Sequence, residues 1–290
     1  RSSTRGKDNR NPRDANQGKR REATMRLTIR DLQAYKKRGE KLPMLTAYDY
    51  PFANLIERAG IPIILVGDSV GDNVLGYDNT VPVTVEDITH HLRAVVRGTE
   101  TAHIVADMPF MSYQTNIADA LRNAGTLLKS GAQSVKLEGG RRLVNTVKEL
   151  VAAGIPVMGH IGLTPQSVNQ FGGYRVQGRT QETAQKLIED AVALEAAGVY
   201  ALVLETVPED LARTVTGKIQ VPTIGIGAGI HCDGQVLVIH DVLGIQSGRE
   251  MKHARKYADL AQVITEATNQ YIADVQSGGF PSHEESFRAK

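Results

Sequence analysis

The chain has 290 residues, 41% hydrophobic and 23% charged, with a formal net charge of +2. That length allows one large buried core, the composition excludes a disordered polymer, and no apolar stretch approaches the roughly 20 residues needed to span a bilayer. A lone cysteine, Cys232, excludes an internal disulfide framework or a multi-cysteine metal site and suits a reducing, intracellular setting.

Residues 1–24 hold eight basic and three acidic residues, a local charge of +5 that leaves −3 for the rest. They lack large apolar side chains and read as a disordered, dispensable extension. Their acidic residues argue against a targeting peptide, although import into mitochondria stays open, and no aromatics interleave the basic residues as a nucleic-acid arm would need. Met25 opens the patterned region, so residues 25–290 are expected to form one domain.

Strands are expected near 43–47, 62–67, 102–107, 133–138, 155–160, 200–205, 222–226 and 235–240. Between them lie amphipathic helices. Thr84 opens one with a capping-box-like start and Ile88, Leu92 and Val95 on one side; Asn116 caps another carrying Leu121, Ala124 and Leu128. Leu143, Val147 and Leu150 form a third stripe, and Leu187, Ala191 and Leu194 a fourth. Helices close on glycine just before the next strand at Gly60, Gly131, Gly154 and Gly198. This recurring unit predicts an α/β fold, a (β/α)8 TIM barrel with a C-terminal helical extension near 252–276; a doubly wound open sheet is the alternative.

In such a barrel the C-terminal strand ends share one rim. The expected strands run into Asp68, Asp107, Glu138, His160 and Glu205. Asp68, Asp107 and Glu138 on three consecutive strands suit Mg2+, a hard cation that takes carboxylate oxygens and keeps room for substrate. Lys136 alternates with Glu138 and must share its face, where a buried ammonium needs an anionic partner. Glu205 follows an apolar run that would raise its pKa towards a general base's, with a helix cap as the alternative. His160 could orient substrate or relay a proton, or satisfy a core hydrogen bond. Ser69, flanked by glycines, could hold a substrate carboxylate. The segment 225–229 fails the dinucleotide-binding spacing. The stretch 171–179, which includes Arg175 and Arg179, reads as a lid above the barrel mouth, with an inert surface loop as the alternative. His90 and His91 are adjacent on a helix and receive no role.

Read together, MLTAYD at 44–49, VGDS at 66–69, LGYDNT at 75–80, ADMPFM at 106–111, VKLEGG at 135–140, GHIGLTPQ at 159–166 and IGIGAG at 224–229 closely resemble the ketopantoate (3-methyl-2-oxobutanoate) hydroxymethyltransferase family. The match runs from about residue 27 to 287. The resemblance implies transfer of a hydroxymethyl group from 5,10-methylenetetrahydrofolate to 3-methyl-2-oxobutanoate, giving 2-dehydropantoate in pantothenate biosynthesis. It implies Mg2+ at Asp68, Asp107 and Glu138, oxo-acid contacts from Asp68, Ser69, Asp107, Lys136 and His160, and Glu205 as base. It further implies a cytoplasmic homo-oligomer, typically a decamer, with small-molecule substrates and no nucleic-acid or membrane partner. Asp72 and Asn73 depart from the pattern, which usually has an apolar residue, often Met, after Gly71. A Mg2+-dependent carbon–carbon lyase or mutase of the isocitrate lyase type would share the barrel and the enolate chemistry, but its Lys-Lys-Cys-Gly-His loop has no counterpart here. A non-catalytic sensor barrel, with the rim carboxylates only ion-paired, is the remaining reading.

Overall fold

Local chemistry sets where the elements begin. Thr84 Oγ1 accepts from the Asp87 amide while the Asp87 carboxylate accepts from the Thr84 amide, so a reciprocal capping box starts one helix at Val85. Asn116 caps the next through the Asp119 amide. Gly131 and Gly198 take φ of 113° and 104° where helices turn into strands, as the sequence pattern required.

The computed structural model describes residues 25–173, 175–245 and 251–288. The basic stretch 1–24, on which the reading of a disordered extension falls, lies outside the described residues. The strands are β1 (Leu42–Thr46), β2 (Ile63–Val66), β3 (His103–Asp107), β4 (Ser134–Glu138), β5 (Val157–Gly162), β6 (Ala201–Glu205), β7 (Thr223–Ile226) and β8 (Gly234–Leu237). Each pairs in parallel with its neighbour, and β8 returns to β1 with Leu42 opposite Gly234. That closure makes the sheet a (β/α)8 barrel and removes the open-sheet alternative.

Helices α1 (Ile29–Arg38), α2 (Tyr50–Arg58), α3 (Val70–Asn73), α4 (Val85–Arg97), α5 (Ile117–Lys129), α6 (Val144–Ala152), α7 (Val168–Phe171), α8 (Gln181–Ala197), α9 (Glu209–Lys218), α10 (Ile239–Leu243) and α11 (Leu260–Ser277) complete the chain. Strand β5 runs two residues later than expected, at Val157–Gly162, and two boundaries differ more. Strand β8 stops at Leu237 because the chain turns into α10, whose first amide, on Ile239, donates to Thr46 Oγ1 at 3.1 Å. The last helix starts at Leu260, where the Asp259 side chain caps the Gln262 amide. Residues Met251, Lys252 and His253 instead reach the barrel mouth.

Strand alternation divides the core. Leu42, Met44, Ile63, Val105, Met158, Val203, Ile224 and Val236 fill the barrel, and Leu32 of α1 closes its floor. Outward residues such as Ile64, Val66, Ile104, Val135 and Leu202 pack under Ile88, Leu92, Leu127 and Leu150 of the helices. Each fully buried aliphatic side chain contributes about 1.5–3 kcal/mol, so this double core holds the strand ends in fixed register. Helix α11 buries none of its residues.

Candidate active site

The rim gathers what the sequence scattered. Asp107, Glu138 and Glu205 are the last residues of β3, β4 and β6, His160 lies within β5, and Asp68 follows the end of β2. Strand register places Asp107 beside Lys136, Glu138 beside His160, and Gly162 beside Glu205. With Ser69 they line one cavity of about 400 Å3. Asp68, Asp107, Lys136, Glu138 and His160 are all buried.

Lys136 is the central cation. Its Nζ lies 2.8 Å from Asp107 Oδ1, 3.3 Å from Glu138 Oε1 and 3.2 Å from His160 Nδ1. Burial alone would lower its pKa, but Asp107, Glu138 and Asp68 reverse that and raise it above the ordinary lysine value. Glu138 is pushed up by burial and pulled further down by Lys136 and His160, to about 2. Asp68 stands well above the carboxylate range because it is buried beside Asp107 and Glu138, with Lys136 opposing only in part. Burial also raises Asp107, against the pull of Lys136.

His160 ties the cluster to Glu205. Nδ1 is 3.3 Å from Glu138 Oε1 and Nε2 is 3.2 Å from Glu205 Oε2. Burial and Lys136 favour the neutral ring, but the two carboxylates outweigh them and lift the imidazole to about 9. Glu205 has the most exposed side chain of the pair, at 15% against 2%. The apolar surround expected of it is therefore partial, with Val203 below and His160 beside it. Backbone geometry fixes its place. Thr206 takes φ of 50°, rare for a non-glycine residue, and its amide donates to Ile226 O at 2.8 Å. A Cβ on Gly162 would lie 2.2 Å from the Glu205 carbonyl oxygen, so only glycine lets β5 and β6 approach there.

Ser69 Oγ is 2.8 Å from the Tyr48 hydroxyl, which holds it at the cavity wall. Asp72 and Asn73 line the same cavity, so the departure from the family pattern faces the site. Asn73 Nδ2 donates to Ser69 O at 2.8 Å and to Asp72 Oδ1 at 3.0 Å.

Among the described residues, no group of three or more His, Cys, Asp or Glu side chains forms a ready-made metal cage. Glu138 shows why: Oε1 faces Lys136 and His160, and Oε2 accepts from the Gln166 amide at 3.1 Å. Asp107 Oδ1, although near Lys136 Nζ, has no directed hydrogen bond. The donor set nevertheless fits Mg2+, which is typically held by one or two carboxylates with water or substrate oxygens. Among the described residues, the cations in ion-pair contact with the carboxylates Asp107, Glu138 and Glu205 are Lys136 and His160, so with Asp68 the carboxylates outnumber them, an excess of negative charge that a divalent ion would relieve.

Gln166, Tyr113 and Tyr48 belong to this site, yet sequence reasoning gave them no role. A neutral glutamine or tyrosine carries no charge signal; the only pointer was their position in or beside the quoted segments. Arg175 and Arg179 are exposed and do not line the cavity. Tyr174 of the expected lid lies outside the described residues. A neighbouring hollow of about 500 Å3 is lined by Arg141, Arg142, Gln177 and Lys186. His90 is exposed, His91 Nδ1 sits 2.6 Å from Tyr48 O, and Cys232 is a buried free thiol.

Comparison with known proteins identifies the family. The model of the ketopantoate hydroxymethyltransferase family matches residues 26–283. The chain is 57% identical to the 3-methyl-2-oxobutanoate hydroxymethyltransferase of Carboxydothermus hydrogenoformans, covering 90% of this chain and 95% of that one. It is also 57% identical to the enzyme of the same name from Dehalococcoides mccartyi, over 91% and 95% of the two chains. Among solved structures, a phosphonopyruvate hydrolase in complex with oxalate and Mg2+ superposes with a TM-score of 0.59 at 13% identity, over 89% of this chain and 93% of that one. A 2,3-dimethylmalate lyase of the PEP mutase/isocitrate lyase superfamily gives 0.56 at 16% identity, over 90% and 92%. Identities that low establish a shared fold only. The family match and the close relatives establish more: the chain belongs to the ketopantoate hydroxymethyltransferase family.

Proposed function

We propose that the protein transfers a hydroxymethyl group from 5,10-methylenetetrahydrofolate to 3-methyl-2-oxobutanoate, forming 2-dehydropantoate. The observation that carries this is the continuous contact from the buried carboxylates through His160 to Glu205 in one cavity, in a chain whose relatives bear that enzyme's name. Asp68, Asp107 and Glu138 would hold Mg2+, with Lys136 beside the last two. Bound there, the ion would stabilise negative charge developing on the oxo acid's oxygens.

The protein's own groups supply the rest. Ser69 and Lys136 would bind the oxo acid's carboxylate and oxo oxygens. Glu205 would remove the C3 proton, with His160 Nε2 at ion-pair distance, 3.2 Å, to orient its carboxylate. Loss of the proton leaves an electron pair at C3; water opens the folate's methylene bridge, both carbon–nitrogen bonds breaking to release tetrahydrofolate and a formaldehyde-level carbon, and C3 attacks that carbon, whose oxygen takes up a proton to become the new hydroxyl. A cavity of about 400 Å3 accommodates a small oxo acid with part of a second substrate.

The test is product formation. Purified protein with 3-methyl-2-oxobutanoate, methylenetetrahydrofolate and Mg2+ should yield 2-dehydropantoate, and a chelator should abolish it. Release of a small oxo acid from isocitrate or 2-methylisocitrate, with no hydroxymethyl transfer, would favour the lyase reading instead. We also propose a homo-oligomer, a decamer by family resemblance. It is supported by α11, where Val263, Ile264, Tyr271, Ile272 and Val275 are all exposed; a monomer in sedimentation would refute it.

A further inference from the structure

We infer that Gln166 is a positioning residue that orients Asp68 and Glu138 for the cation, and that Tyr113 supports its amide from the other side. The inference rests on the Mg2+ reading above and deepens it.

Gln166 follows β5, yet it touches the ends of three other strands. Its Nε2 donates to Asp68 Oδ2 and to Met108 O, each at 2.9 Å. Its backbone amide donates to Glu138 Oε2 at 3.1 Å. Its Oε1 accepts from the Tyr113 hydroxyl at 2.8 Å and from Gln114 Nε2 at 3.2 Å. The side-chain amide thus uses both N–H donors and both acceptor directions, which is all the group possesses. Gln166 and Tyr113 are 4% and 1% exposed, so water does not compete for these bonds.

The direction of the amide follows from its neighbours. Flipped, Oε1 would face the Asp68 carboxylate and the Met108 carbonyl, and NH2 would face donors, leaving several buried groups unpaired. Tyr113 reinforces the choice that Asp68 and Met108 impose. Its oxygen accepts from the Glu138 amide at 3.0 Å, so its single proton is left for an acceptor, and Gln166 Oε1 at 2.8 Å is nearer than Glu138 O at 3.0 Å. The same tyrosine therefore links the Glu138 backbone to the amide that holds Asp68.

A neutral donor suits this place. An arginine or lysine would neutralise Asp68 and compete with a cation, whereas an amide holds one oxygen and leaves the carboxylate its full charge. Partners at this remove from a metal typically change its affinity by about 10–100-fold when lost.

The experiment measures Mg2+ binding to the full-length protein by titration calorimetry, with thermal melting as a control for folding. Gln166→Met should weaken Mg2+ by about 10–100-fold, and Tyr113→Phe by a smaller factor. The double variant should bind no more weakly than Gln166→Met alone, because Tyr113 acts through Gln166. In both single variants saturating Mg2+ should recover most of kcat, which merely structural damage would not do. Wild-type affinity in Tyr113→Phe and Gln166→Met, or in Tyr113→Phe alone if the other variant does not fold, overturns the inference. A wild-type protein that binds no Mg2+ overturns the metal reading itself, and the inference with it.

Discussion

Replacing Lys136 with methionine keeps most of the side chain's volume and removes the charge that Asp107 and Glu138 share. Asp107 Oδ1 then loses a cation at 2.8 Å and Glu138 Oε1 one at 3.3 Å, all in a buried setting. His160 cannot compensate by taking up a proton near neutrality, because it already holds one up to about pH 9. A stranded carboxylate can always be discharged by protonation, and that bounds the cost. Holding an aspartate neutral costs about 1.4 kcal/mol for each pH unit above its ordinary value near 3.9. The ceiling is therefore about 4 kcal/mol at pH 7 and about 1.5 kcal/mol at pH 5 for one carboxyl. A carboxyl whose folded pKa is raised contributes most stability in acid and loses it as pH climbs through the raised value. At about 2 °C per kcal/mol for a chain of this size, the Lys136→Met variant should thus melt up to about 7 °C below wild type at pH 7, but at most about 3 °C below it at pH 5. The assay is scanning calorimetry of both proteins without Mg2+, compared pH by pH. A gap that is equal at the two pH values, or wider in acid, would refute this electrostatic reasoning.

Other expected outcomes follow from the same cluster. Because burial, Asp107 and Glu138 raise Asp68, Mg2+ must displace a proton there in acid; affinity should improve from pH 5 to pH 8, with proton release detected by calorimetry in two buffers of different ionisation enthalpy. Binding without proton uptake or release across that range would contradict the assignment. Gly162→Ala places a Cβ 2.2 Å from Glu205 O at a φ of 97°, so it should destabilise the protein by about 1–3 kcal/mol. It should also lower kcat more than it weakens oxo-acid binding; a lower melting temperature with unchanged kcat would show that Glu205 is not displaced.

The alternation of residues made much of this molecule readable. Lys136 and Glu138 are two apart on β4, so they had to share the inner face, and the structure places both against His160. The glycine-terminated helices and the caps at Thr84 and Asn116 are local signals, and they appear where expected. Limits arose where contacts are long-range. The end of β8 depends on Thr46, far away in the chain, which receives the Ile239 amide. Gln166 acquires its role from Tyr113, Asp68 and Glu138, none of them its sequence neighbour. Nor could spacing show that both oxygens of Glu138 are engaged by Lys136, His160 and Gln166, or that Asp107 likewise meets Lys136 with one oxygen and the Asp68 amide with the other.

The central claim is that Glu205 removes the C3 proton of an oxo acid held beside Asp68 and Asp107. Its most direct measurement is exchange of that proton in D2O, followed by NMR with 3-methyl-2-oxobutanoate and Mg2+ but without folate. Wild-type protein should exchange the proton in the presence of Mg2+ and cease when the ion is chelated, while Glu205→Gln should bind the oxo acid within a few-fold of wild type and exchange none. Exchange at the wild-type rate in Glu205→Gln would contradict the account.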